Sequence, residues 1–305
     1  MRLLVRLPLL AVKNIRNASS RSQQSPADYC VNLVKQYDHE NFLCTLLLPN
    51  DTRRAAFCIR AFNIEVSLIG NKITEDHIGL MRYKWWEDAL NGIYSGGSIP
   101  KHPVVLELNK VIKDNKLLKK QFTRMLSARR NPLPKTGFKT MKDMETYAEE
   151  STSPVYYLIL QAAGVKNVDV DHAASHLGKA QGVVNLVRSI PHHITRRQVV
   201  LPEEILVKHD VPQETFMSSN MVINGPVRDV LFDVASSANT HNDKARQLIA
   251  DVPKKAKPIF LPAVAVSEYL ERLRDADFDI LHPNLQCRNA SLGFKLFWRK
   301  LRGSY

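Results

Sequence analysis

Two histidine pairs, two acidic pairs and four cysteines are the side chains of this 305-residue chain whose types and spacing suit chemistry. His172 and His176 are four residues apart, so a helix would put both imidazoles on one face, a spacing that can bind a transition metal. No third ligand lies nearby in sequence. His192 and His193 are adjacent and would point in different directions on a helix, which favours hydrogen-bonding or surface roles over a shared metal. Glu149 with Glu150, and Glu203 with Glu204, each lie in a polar segment that fits a solvated helix start. Cys30, Cys44, Cys58 and Cys287 form no C-x-x-C arrangement and no disulfide-dense spacing, so they read as free thiols and small buried hydrophobes in a reducing compartment.

More informative is the stretch 177–202, LGKAQGVVNLVRSIPHHITRRQVVLP. Its small residues, with Ala173 and Ala174 before them, occupy a helix that loses about 1 kcal/mol per glycine relative to alanine. Something must approach that helix closely, and a neighbouring helix is the favoured occupant over a ligand. Gly178, Ala180, Asn185, Arg188, Leu201 and Pro202 match a frame in which this stretch resembles the second aspartate-rich motif of the squalene and phytoene synthases. Residues 53–71, RRAAFCIRAFNIEVSLIGN, resemble the helix that carries the first motif.

The resemblance implies that the acidic positions of the first motif fall on Ser67, Leu68 and Asn71. Those of the second fall on Ser189 and His193, with His192 where the family usually has another acid. None of these side chains is a hard carboxylate ligand. Magnesium sits in octahedral oxygen sites built from carboxylates and phosphates, and it neutralises a departing diphosphate. Family-type prenyl transfer is therefore expected to be absent, with no metal, cofactor or catalytic residue. Glu65 is about 200° round the helix from Ser67 and is a poor substitute. Two alternatives stay open: an enzyme of altered chemistry that holds diphosphate through Arg188, Arg196 and Arg197, or a lipid or isoprenoid carrier.

A closer resemblance, over about residues 29–298, is to a non-enzymatic branch of that superfamily, the mitochondrial complex I assembly factor 6 family. It is carried by RAFNIE (60–65), IGLMR (78–82), DHAASHLGKAQG (171–182), LPEEI (201–205), VRDV (227–230) and DFDILHPNLQ (277–286). It implies an all-α, isoprenoid-synthase-like helical bundle with a central cavity. It further implies peripheral contact with the matrix side of the mitochondrial inner membrane, and complex I subunits or assembly intermediates as partners.

Helices must position these residues, because β-strand alternation of any length is missing. Thr74 is a candidate N-cap with Glu75 and Asp76 behind it, and Ile78, Met81, Trp85, Ala89 and Ile93 form an apolar stripe until Gly96 and Gly97 stop the helix. Trp85 and Trp86 read as core anchors. Ser153 and Pro154 signal a second start, followed by an all-round apolar helix ended by Gly164. Two shorter helices span about 104–118 and 118–130, with Phe122 and Leu126 inward and Asn131 with Pro132 closing the second.

Residues 1–26 hold Arg2, Arg6, Lys13, Arg16 and Arg21, four serines and no acid. This is the form of a mitochondrial targeting segment, ahead of one helical domain at 27–305. Removing those five basic residues lowers the net charge from +13 to +8. The remaining Lys and Arg are interspersed with acids and lack the aromatic interleaving of single-strand recognition, so nucleic acid is not an expected partner; lipid headgroups are favoured over it as the counter-charge, with an ordinary solvated surface as the alternative. No apolar run approaches the ~20 residues a bilayer span needs. The segment 257–270 reads as a buried core helix rather than an interfacial one.

Overall fold

Local capping fixes where most helices begin. Ser25 accepts from the backbone N–H of Asp28 and starts α1 (Pro26–Tyr37), and Asp38 caps α2 (His39–Leu46) through the N–H of Asn41. The computed structural model describes residues 24–72, 76–130, 137–218, 220–303 and 305. It continues through α3 (Asn50–Lys72), α4 (Asp76–Ser95), α5 (Pro103–Asn115), α6 (Lys119–Arg130), α7 (Met141–Ala162), α8 (Val168–Thr195) and α9 (Glu203–Lys208). After these come α10 (Gly225–Leu248), α11 (Pro262–Asp275), α12 (Pro283–Gln286) and α13 (Leu292–Arg302), with short 3-10 turns at Gln213–Met217, Ile249–Asp251 and Lys257–Phe260. Among the described residues the only β-type pairing is an isolated parallel bridge between Phe138 and Pro202. The fold is the expected all-α bundle.

The axis of the bundle is α8, with α7 on one side and α10 on the other, and α11 closing against both α8 and α10. At Gly178 an added Cβ would sit 2.0 Å from Ser153 Oγ, and at Gly182 it would sit 2.5 Å from the Cβ of Ala148. The close neighbour required by the small-residue helix is therefore α7. On the far side of α7, Phe62 packs edge-on against Trp86 and Phe122 at 5.3 and 5.2 Å, tying α3 to α4 and α6.

Three expectations about these elements are corrected. Ser153 and Pro154 do not open a helix: α7 begins twelve residues earlier, at a reciprocal capping box between Thr140 and Asp143, and Pro154 lies inside it. The capping box sets the start, and burial of residues on both sides of Pro154, from Ala148 to Leu160, carries the helix across the backbone bond that the proline removes. Glu149 and Glu150 consequently sit in mid-helix, where they pair with Lys179 and Arg124 on neighbouring helices, while Glu203 and Glu204 do open α9. The stripe on α4 is rotated: Ile78, Met81 and Trp85 are exposed, and Tyr83, Trp86, Ala89, Leu90 and Ile93 are buried. Trp86 is thus a core anchor and Trp85 is not.

The remaining element readings agree with the structure. Gly96 and Gly164 take positive φ at the ends of α4 and α7, Phe122 and Leu126 are buried, and the segment from Lys257 packs its apolar residues inward. All four cysteines are free thiols; Cys30, Cys44 and Cys58 are buried as expected, but Cys287 is exposed beside α12, so its reading as a buried hydrophobe is corrected. The targeting segment up to residue 23, the cap at Thr74 and the stop at Asn131 and Pro132 lie outside the described residues.

Candidate functional site

A central cleft of about 680 Å³ opens between α3, α7 and α8, with the end of α1, the start of α2 and the segments of α11 and α12 forming its rim. Ser67 and Leu68 reach it from α3, and Ser189, His193 and Arg188 from α8. Arg196, just past the end of α8, lines it as well. Arg197 does not: it adopts a left-handed backbone (φ 51°) in the turn after α8 and faces solvent. The side chain of Asn71 lies outside the described residues. His192 is exposed at the rim, edge-on to His193.

The turn after α8 is held from below. Gly137 (φ 82°) lets residues 137–139 run against the Leu201–Pro202 segment, where the N–H groups of Glu203 and Glu204 donate to the carbonyls of Phe138 and Lys139. An added Cβ at Gly137 would lie 2.5 Å from the carbonyl oxygen of Leu201.

The polar side chains at the motif positions, and the arginines beside them, already have tasks. Ser67 donates to the carbonyl of Ile64 at 2.8 Å and Ser189 to that of Leu186 at 2.7 Å, so both hydroxyl protons are spent on their own helices. His193 Nδ1 lies 3.2 Å from Gln198 Oε1, and burial holds its pKa below the ordinary value, with Gln198 opposing. Arg188 pairs with Glu40 at 2.6 Å and stacks over the ring of Tyr269. Burial pushes the Tyr269 hydroxyl up to about 12, against the pull of Arg188. Arg196 donates to the carbonyl of Gly70, and Arg129 to Asn63 and to the carbonyl of Ser151.

Magnesium, which a prenyl synthase would hold here, requires a converging set of free carboxylates. The carboxylates among the described lining residues are Asp38 and Glu40. Glu40 is bound to Arg188, and both oxygens of Asp38 receive the side-chain amide of Asn41. Five arginines, at 129, 188, 196, 272 and 288, also line the space. Among the described residues no group of three or more His, Cys, Asp or Glu side chains could hold a metal ion. The residues present do not fit a magnesium cluster, and the balance of charge suits an anion better than a cation.

The histidine spacing on α8 leads elsewhere. His172 is exposed, and His176 meets His241 of α10 at 2.8 Å between Nδ1 atoms, away from the cleft. Sequence spacing missed Asp38, Glu40, Arg129 and Tyr269 as cleft residues. Asn63, Leu285 and Gln286, which fall within the runs RAFNIE and DFDILHPNLQ, were the nearest signal.

Comparison with known proteins matches this architecture. A family profile for squalene/phytoene synthase covers residues 34–293. A dehydrosqualene synthase of known structure superposes with a TM-score of 0.78 at 18% identity, over 91% of this chain and 95% of that one. The NADH dehydrogenase (ubiquinone) complex I, assembly factor 6 of Rattus norvegicus is 40% identical over 97% of this chain and 89% of its own length. Its homolog in Drosophila melanogaster is 44% identical over 90% of this chain and 83% of its own. With a family profile over most of its length and nearly full-length identity of that order, the chain belongs to the squalene/phytoene synthase family, and within it to the complex I assembly factor 6 group.

Proposed function

We propose that this protein is an assembly factor for respiratory complex I that binds subunits or assembly intermediates of NADH:ubiquinone oxidoreductase and does not transfer prenyl groups. The observation that carries the non-catalytic half is the donor set of the cleft: Ser67, Leu68, Ser189 and His193 stand where the family resemblance puts acids, and Asp38 and Glu40 are engaged by Asn41 and Arg188. Without carboxylates to gather magnesium, several kcal/mol of leaving-group stabilisation are lost, each ~1.4 kcal/mol being a factor of ten in rate. Near-full-length identity to proteins named as assembly factors supports the other half. Residues 1–26 act as the mitochondrial targeting segment and 27–305 as the working domain, which sits peripherally on the matrix side of the inner membrane. Among the described residues no helix is long and apolar enough to cross a membrane, in keeping with peripheral contact.

Depleting the protein is expected to lower assembled complex I on native gels while the other respiratory complexes persist; equal loss of all of them would refute the assembly role. Purified protein given magnesium and labelled prenyl diphosphates is expected to yield no condensation product, and measurable product would overturn the non-catalytic half. The size of the cleft, within the range of small-molecule sites, favours one second reading: a lipid or isoprenoid held as cargo, which native mass spectrometry would reveal as a co-purifying mass.

A further inference from the structure

The last helix, α13, carries two apolar faces but buries only one. Leu292 and Leu296 are 2% and 0% exposed and hold the helix against α11 and α2. Phe294, Phe297, Trp298 and Leu301 are 71%, 50%, 45% and 64% exposed. At the angular step of an α-helix these four fall within about 100° of arc, on the side opposite the two buried leucines. Phe294 and Trp298 stack at 6.4 Å, and the Arg302 guanidinium lies 4.7 Å from the Trp298 ring centroid, so the exposed side chains form an ordered apolar ridge.

Charge decides what such a ridge meets. The helix LGFKLFWRKLR contains no acid. Lys300 borders the ridge on one side, Arg302 and Lys295 border it on the other, and Arg299 stands on the inward side. Lys295 is paired with Glu268, but among the described residues Arg299, Lys300 and Arg302 make no ion pair with a carboxylate. A protein interface of this apolar character is typically depleted of charge at its core and places Lys at no advantage. An aromatic and leucine face edged on both sides by unpaired cations matches instead the boundary between acyl chains and anionic headgroups.

We propose that α13 is an interfacial helix that seats the protein on an anionic lipid bilayer, with Phe294, Phe297, Trp298 and Leu301 below the headgroups and Lys300 and Arg302 at the phosphates. This deepens the peripheral-membrane part of the proposed function and rests on it only for which membrane is met. Vesicle binding involves no complex I component, so its failure and the failure of the assembly role are separable.

The test is co-sedimentation of the full chain with phosphatidylcholine vesicles containing about one-fifth phosphatidylglycerol, against phosphatidylcholine alone. The chain is expected to pellet with the anionic vesicles and to be released by salt. The F294S/L301S variant is expected to lose binding at least tenfold, and K300E/R302E to lose the preference for anionic vesicles. Phe294, Leu301 and Arg302 are exposed and the partly buried Lys300 makes no ion pair among the described residues, so helicity and melting temperature should match the parent, and that match assigns loss of binding to the surface and not to unfolding. A parent chain that stays in the supernatant, or an F294S/L301S variant that binds as the parent does, overturns the proposal and leaves the face to another occupant.

Discussion

Replacing Gly182 with valine is expected to destabilise the protein by about 3 kcal/mol or more, read as a fall in the urea midpoint without a change in slope. A Cβ at this position would meet the Cβ and Cα of Ala148 at 2.5 and 2.8 Å and its carbonyl oxygen at 3.2 Å. Two of those three atoms are backbone, so no side-chain rotation relieves the clash and α7 must move from α8. Helix propensity pulls the other way, since glycine costs a helix about 1 kcal/mol relative to alanine. Steric overlap is the larger effect, so even Gly182→Ala should lower stability. Gly79 of α4 supplies the contrast: a Cβ there meets nothing within 4 Å, and Gly79→Ala should gain up to about 1 kcal/mol. If both alanine substitutions stabilise equally, close approach of α7 and α8 is not what requires the glycine.

The same contact explains what was legible in the sequence. Small residues at 173, 174, 178, 180 and 182 announce a close neighbour because a helix carries glycines at a cost only where bulk is forbidden. Gly96 and Gly164 announce helix ends because a left-handed residue stops the hydrogen-bond ladder. These are local signals, and the structure follows them. The start of α7 was also local, but two signals competed, and Ser153 with Pro154 was the more conspicuous. Ser153 is buried against α8, where its hydroxyl donates to the carbonyl of Ser175, so its role is tertiary and not a cap. On α4 the periodicity admitted two apolar faces. Which one turned inward was decided by Phe62 of α3, whose ring receives Trp86, whereas His102 touches both tryptophans and does not discriminate between them.

The cleft divides along the same line. Positions 67, 68, 188, 189, 193 and 196 could be named because two motif frames carry them, and they do meet in one space. Glu40, the partner of Arg188, is 148 residues away in sequence and belongs to no motif; nothing in spacing joins them. Tyr269, beneath the same guanidinium, comes from α11. Without its partners Arg188 reads as a free anion contact, whereas in the fold it is already neutralised by Glu40. That difference bears on ligand capture: an anion entering the cleft must compete with Glu40 at Arg188, while Arg129 presents a guanidinium bound to neutral oxygens at Asn63 and Ser151. Burial lowers the pKa of Arg129, with Tyr147 and Tyr83 opposing, and the desolvated cation would gain most from an incoming charge.

Acid is expected to weaken the α8–α10 contact by about 1 to 2 kcal/mol between pH 6.5 and 4, a loss that His176→Gln should largely abolish. His241 Nε2 faces Glu145 at 3.3 Å and its Nδ1 faces His176 Nδ1 at 2.8 Å. With Nε2–H donated to Glu145, His241 Nδ1 accepts from His176, an arrangement that requires His241 to be neutral. Burial lowers the pKa of His176 from 6.5 to about 4, reinforced by His241, Lys179 and Lys244 and opposed by Glu149. Burial also lowers that of His241, with Glu145 opposing. Because folding depresses both values, the unfolded chain takes up protons first. The stabilisation is whole above pH 6.5 and drains away as the pH falls towards 4, and the stated magnitude allows for solvent screening of a partly exposed ring. Glu145 also accepts from Ser237, and Glu149 is held by Lys179 and Ser175. Against burial, which raises it, Lys179 and Ser175 hold the Glu149 carboxyl below the ordinary carboxylate value, so Glu149 adds its own loss at lower pH, and for that reason the comparison is between parent and variant. Glutamine keeps an amide donor for His241 Nδ1 and cannot take up a proton, so the variant should match the parent near pH 7 and exceed it near pH 4. Denaturant midpoints that fall in parallel for the two proteins across that range would show that the imidazole pair does not govern the acid response.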